Sequence, residues 1–103
     1  MHVSDAVQQY AVALATATRR SPELRLGASP RATLHLVRAA KAFAAMQGRE
    51  FVLPDDIREL APEVLPHRLL PTMESTMSGR RTTEVVEHVL ASVPVPSPGP
   101  TGP

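Results

Sequence analysis

Apolar residues recur at helical spacing through most of this chain. Val3, Val7, Tyr10, Leu14 and Ala17 fall on one stripe of VSDAVQQYAVALATATRR, with Ser4 placed as an N-cap and Arg19 and Arg20 in the last turn. This pattern predicts a first helix. Pro22 and Gly27 interrupt it in SPELRLG, which reads as a surface loop whose Leu24 and Leu26 tuck back onto the bundle. A second, longer helix is predicted from Ser29. Along it Leu36, Val37, Ala40, Phe43 and Ala44 share one side, and Gly48 stands where a helix C-terminus ends.

The next stretch, FVLPDDIRELA, predicts a short extended segment and then a helix with Pro54 at its first position and Asp55 and Asp56 in its first turn. Pro62, Pro66 and Pro71 punctuate PEVLPHRLLPT. Proline removes a backbone donor and restricts the residue before it, so this stretch is expected to hold at most a turn of helix and a brief extended segment around His67 to Leu70. Phe51 and Val52 are candidates to pair with it, giving one short two-stranded pairing near Phe51 and Arg68. MESTMSGRR reads as a mobile loop. TTEVVEHVLASV reads as a last helix with Val85, Val86, Val89 and Leu90 inward.

Composition supports an all-α class, a small four- to five-helix bundle. Of the 103 residues, 43% are hydrophobic, yet the aromatics are only Tyr10, Phe43 and Phe51. A core of alanine, leucine and valine suits close-packed helices better than a sheet. One domain is expected over 1–93, followed by a Pro-rich disordered tail over 94–103, whose PVPSPGPTGP cannot bury apolar area. There is no cysteine, which removes disulfides and thiolate chemistry. No signal peptide or membrane span is legible, so the expectation is a cytoplasmic chain with no membrane partner. The net charge of +1 gives no generic grip on nucleic acid, and no nucleic-acid partner is expected.

Charge does change the picture at one place. Ser29 and Pro30 form a helix start, with a hydroxyl to cap and a first residue that needs no donor. Arg31 follows in the first turn, where the helix dipole disfavours a cation by about 0.3 to 1 kcal/mol. The next helix start carries two aspartates instead. At 100 degrees per residue, Arg31, His35 and Arg38 project in one narrow arc with Lys41 beside it, opposite the apolar side. A helix N-terminus with free N–H groups attracts anions, and a guanidinium fork matches phosphate oxygens, so an anion visiting this end accounts for Arg31. A solvated basic face is the plain alternative.

Other chemistry is sparse. No G-x-x-x-x-G-K-[ST] occurs, and the single lysine, Lys41, lies mid-helix, so the chain builds no phosphate-cradling loop. Glu84 and His88 share a helix face one turn apart, with Glu87 nearby, but such groups usually form a solvated face, and no metal site is expected. His35 and His67 stand without a carboxylate at motif spacing. An autonomous enzyme is not expected.

The run LGASPRATLHLVRAAKAFAAMQGREFVLPDDIRELAPEVLPHRL resembles the C-terminal lid of MoxR-type AAA+ ATPases, with GASPRA followed by GREFVLPDDI as the more specific part. The resemblance extends from about Val3 to the VPVP near the end. It implies a helical bundle that follows a larger nucleotide-binding subdomain and clasps ATP with it inside a ring. It further implies that Arg31 is the second-sensor arginine that reaches the ATP γ-phosphate. Ser29, Pro30, His35 and Arg38 are the candidates to lie near the nucleotide, although the family motif assigns Arg38 no role and a solvated surface is its default reading.

By the same resemblance ATP and Mg belong to the intact parent, and this chain alone is inactive and binds neither strongly. The implied partners are the missing nucleotide-binding subdomain, neighbouring ring subunits and proteins with a von Willebrand factor A domain, in chaperone-like remodelling. Leu53 departs from the threonine often found before the proline, and Pro66 interrupts the approach to HRL. The opening Met1 and His2 suggest an excised domain. The alternative is half of a histone-fold-like dimerisation unit, DNA-associated or scaffolding, which AAKAFAAMQGREFVLPDDIRELA also resembles.

Overall fold

The computed structural model describes residues 2–96. Five helices and one small antiparallel pairing follow in the order α1 Asp5–Arg20, β1 Leu24–Leu26, α2 Pro30–Met46, α3 Pro54–Val64, a 3-10 turn Leu65–Arg68, β2 Leu70–Pro71, α4 Met73–Met77 and α5 Thr82–Ser92. The all-α bundle expected from the apolar spacing is present.

α2 packs on both α1 and α3, and α5 closes the bundle against α1 and α3. The buried stripe of α2 is Ala32, Leu36, Ala40 and Ala44, so three of its four core positions are small and its backbone lies close to its neighbours. Around it sit Val7, Tyr10 and Leu14 of α1, Ile57 and Ala61 of α3, Leu65, and Val85, Val86, Val89 and Leu90 of α5. Full burial of a leucine such as Leu14 or Leu36 contributes about 2 kcal/mol. Val37 and Phe43 are only half-buried at its margin.

The helix ends follow the local rules. Ser4 Oγ accepts from the Val7 N–H, and Ser29 Oγ from the Ala32 N–H. At the far end of α2, Gly48 takes φ +77°, the Gly48 N–H donates to the Ala45 carbonyl and the Arg49 N–H to the Ala44 carbonyl. That is a Schellman ending, which a left-handed glycine permits. Leu53 has no hydroxyl to cap α3, and Asp56 supplies the reverse contact, its carboxylate accepting from the Leu53 N–H at 2.7 Å.

Four details differ from the sequence reading. The strand pairing joins β1 to β2, Leu24 opposite Pro71 and Leu26 opposite Leu70, and so the segment around Arg68 and Leu70 does not pair with Phe51 and Val52. Phe51 bridges His2 in parallel instead, with the His2 N–H donating to Glu50 and the Val52 N–H to His2. Leu24 is buried but Leu26 is 57% exposed: residues two apart share a face in a regular strand, and here the pairing register shifts between them.

MESTM of the expected mobile loop is helical as α4, capped by Thr72, whose Oγ1 accepts from the Ser75 N–H. α3 runs through Pro62 to Val64 rather than stopping before it. A proline late in a helix forfeits one backbone bond, and the buried flanks Ala61 and Leu65 hold the segment in place. At the C-terminus, Val93 and Val95 pack against the core. Residues 97–103 of the expected tail lie outside the described residues.

Candidate functional site

The start of α2 is held by the chain that leads into it. Thr18 Oγ1 donates to the Ala15 carbonyl at 2.6 Å and accepts the Ala28 N–H at 2.9 Å. Arg19 Nη1 donates to the Ala28 carbonyl at 2.9 Å. Both polar groups of Ala28 are thus satisfied by the last turn of α1. Gly27 lies against the same turn: a Cβ there would sit 2.6 Å from the Arg19 backbone N and Cα. Only glycine allows that approach. Ser29 is therefore delivered to its capping position by a fixed loop.

Arg31 is exposed in the first turn of α2, where no acidic residue stands. The Ala32 N–H is taken by Ser29 Oγ and the Thr33 N–H by the Ser29 carbonyl. His35 lies half-buried one turn further on, and Arg38 is exposed beyond it. Lys41 lines a cleft with Gln8 and Val12 of α1 and Pro30, Leu34 and Val37 of α2. Ser29 and Pro30 thus open α2, Arg31 lies in its first turn, His35 one turn on, and Arg38 at the middle of the helix.

A residue the spacing did not reveal joins them. The 3-10 turn packs against α2 and carries Arg68. The His35 imidazole is held below its ordinary pKa first by the Arg68 guanidinium, then by desolvation, then by Arg38 and Arg31. All the charges acting on it are cations. Arg31, Arg38 and Arg68 form no ion pair among the described residues, as is true of Arg19, Arg20, Arg25 and Arg58, whereas Arg49, Arg80 and Arg81 each meet a carboxylate.

The other candidate group is structural in its contacts. Glu84 is paired with Arg80 and Arg81, and His88 Nδ1 lies 3.7 Å from Glu23. Among the described residues no group of three or more His, Asp and Glu could hold a metal ion. No helix among them is long and apolar enough to cross a membrane.

The frame of the site is a small helical bundle with a capped α2 start that carries Arg31. The chain belongs to the AAA lid domain family, whose model matches residues 16–89. That match takes in α2, α3 and the GASPRA entry, and it assigns the chain to a lid rather than to a histone-fold-like unit. It is 36% identical over 96 residues to the uncharacterized protein YeaC of Bacillus subtilis, covering 93% of this chain and 30% of that protein. To chaperone MoxR1 of Mycobacterium tuberculosis it is 35% identical over 103 residues, covering 91% of this chain and 27% of MoxR1. A crystal structure from Cytophaga hutchinsonii, described as a candidate ATPase, superposes with TM-score 0.85 at 33% identity, over 92% of this chain and 32% of that one. The chain thus spans about a third of the length of the relatives it matches.

Proposed function

We propose that this chain is the lid of a MoxR-like AAA+ ATPase and senses ATP through Arg31. The observation that carries this reading is the cationic α2 face, set on a helix start that the Thr18–Ala28 contacts hold in place. A guanidinium there offers charge-assisted hydrogen bonds to a terminal phosphate and to charge that develops on it during hydrolysis. Arg31 thereby links nucleotide state to lid angle, because it binds only the state in which the phosphate is present. Ser29 and Pro30 set its position, and His35 and Arg38 lie near the nucleotide.

The residues present fit a triphosphate, since Arg31 and Arg38 stand exposed on α2 and no acidic residue occupies its first turn. They do not supply magnesium ligands, for the same reason. ATP and Mg would be held chiefly by the nucleotide-binding subdomain of the parent, and the lid alone is inactive. Its domain is taken as residues 1–93, and its partners are that subdomain and the neighbouring ring subunits. The name of chaperone MoxR1 supports a chaperone-like role; remodelling, a cytoplasmic location and partners with a von Willebrand factor A domain rest on the family likeness alone.

The test is the turnover of the full-length ATPase with and without Arg31→Ala at saturating MgATP. A loss of about tenfold or more, roughly 1.4 kcal/mol, is expected. Unchanged turnover would remove Arg31 from the phosphate.

A further inference from the structure

Three polar residues are buried among the described residues, and two of them close links between elements: Asp56 bonds Arg49 and the Leu53 N–H, and Ser75 Oγ donates to the Glu23 carbonyl. The third, Thr18, has no exposed surface and turns its hydroxyl toward the chain that enters α2, donating to the Ala15 carbonyl at 2.6 Å and accepting the Ala28 N–H at 2.9 Å. A valine of the same shape would fill this core position with no polar atom to satisfy. The hydroxyl is therefore placed for Ala28 rather than for packing. Ala28 is itself wholly buried, and its N–H and carbonyl belong to the two rigid peptide planes on either side of its Cα. Thr18 holds the first plane, and Arg19 Nη1, 2.9 Å from the carbonyl oxygen, holds the second. With both planes held, the direction in which Ser29, Pro30 and Arg31 leave the loop is set.

We propose that Thr18 and Arg19 are positioning residues for Arg31: acting through the two polar groups of Ala28, they aim the first turn of α2 and so set where the Arg31 guanidinium reaches. The inference deepens the ATP-sensing reading and rests on it for what Arg31 contacts. A guanidinium at the end of a long side chain keeps its geometry with a phosphate only if its helix start is fixed, and a displacement of about 1 Å is enough to lose much of the effect of a charge-assisted bond. The remote pair touches no nucleotide in this account. Its influence on the terminal phosphate passes wholly through Arg31, so its effect on ATP must vanish when that guanidinium is removed. Its effect on the stability of the fold, which comes from the buried bonds themselves, must not.

The test is ATP and ADP affinity of the full-length ATPase in Thr18→Val, Thr18→Ser and Arg19→Met, each with Arg31 intact and with Arg31→Ala. With Arg31 intact, Thr18→Val is expected to weaken ATP about fivefold and Arg19→Met about threefold, while ADP stays within about twofold in both. Thr18→Ser keeps the hydroxyl and should stay within about twofold of the wild type for both nucleotides. In the Arg31→Ala background neither Thr18→Val nor Arg19→Met should weaken ATP further. The thermal midpoint should fall in Thr18→Val alike in both backgrounds, because the Ala28 N–H loses its buried acceptor whether or not Arg31 is present. Arg19 is exposed, so Arg19→Met carries the test if Thr18→Val does not fold. ATP affinity unchanged in Thr18→Val and Arg19→Met, beside an ATP-specific loss in Arg31→Ala, would overturn the positioning role and leave the phosphate-sensing one standing. An equal loss for ADP, or the same ATP loss in the Arg31→Ala background, would overturn it as well. ATP affinity unaffected by Arg31→Ala would overturn the sensing reading and this inference together.

Discussion

Arg49 and Asp56 meet through two parallel bonds of 2.7 Å, Nη1 to Oδ2 and Nη2 to Oδ1, with the Asp56 side chain buried. Arg49 also donates to the Phe51 carbonyl, and Asp56 accepts from the Leu53 N–H, so the pair closes the link between α2 and α3. His2 is bonded to this same link at Glu50 and Val52. The pair fixes the start of the bundle as well as its middle. Arg49→Ala leaves a buried carboxylate without its partner, and a loss of about 3 kcal/mol is expected. In a thermal melt that is a fall on the order of 15 °C.

The same pair sets an acid dependence. Burial raises the Asp56 pKa, but the Arg49 hydrogen bonds, the Leu53 N–H and the Arg49 charge outweigh it and hold the carboxyl below its ordinary value. The native state thus binds the proton less readily than the unfolded chain. The contribution is complete above the ordinary carboxylate pKa of about 3.9 and is lost as pH falls through the lower native value. Denaturant midpoints should drop across that window in the wild type, and by less in Asp56→Asn. An equal drop in both would show that other carboxylates carry the acid sensitivity.

Gly27→Ala places a methyl group 2.6 Å from the Arg19 backbone, which cannot give way as a side-chain tip can. The expected cost is about 1 to 3 kcal/mol, with displacement of the loop that leads to Ser29. Amide exchange checks this locally. The Ala28 N–H, bonded to Thr18 Oγ1, should exchange faster in the variant than in the wild type. Retained protection there would mean that α1 shifts to accommodate the methyl group.

The His35 environment predicts an ordering of effects. Because Arg68 acts on the imidazole more strongly than Arg38 or Arg31, Arg68→Gln should raise the His35 pKa more than Arg31→Gln does. NMR titration of the imidazole reads both. The native pKa lies below the unfolded one, so protonation of His35 opposes folding as pH falls through that interval. A larger effect from Arg31→Gln would place Arg68 farther from His35 than the structure does.

The four long helices were legible because each carries a helical stripe over three turns or more and an end signal, as with Ser4, Ser29 and Pro54. So was the α2 start with Arg31, which breaks a dipole rule that the α3 start obeys. The features that escaped are those fixed by distant partners. β1 and β2 have three and two residues, too few for alternation to register, and their pairing is set by contacts such as the Thr72 N–H and Ser75 Oγ on the Glu23 carbonyl. α4 has five residues and depends on the same docking. Arg68 could not be placed beside His35 from spacing, since its position depends on how Leu65 buries the 3-10 turn. Its signal was an arginine inside the proline-punctuated stretch, between Pro66 and Pro71, with no acidic residue within four positions of it.

The central claim is that Arg31 reads the terminal phosphate, and the most direct measurement is the ratio of ATP to ADP affinity in the full-length protein, wild type against Arg31→Ala. The account predicts that Arg31→Ala weakens ATP about tenfold or more, near 1.4 kcal/mol, while ADP affinity stays within about twofold. Equal weakening of both nucleotides, or of neither, would contradict it.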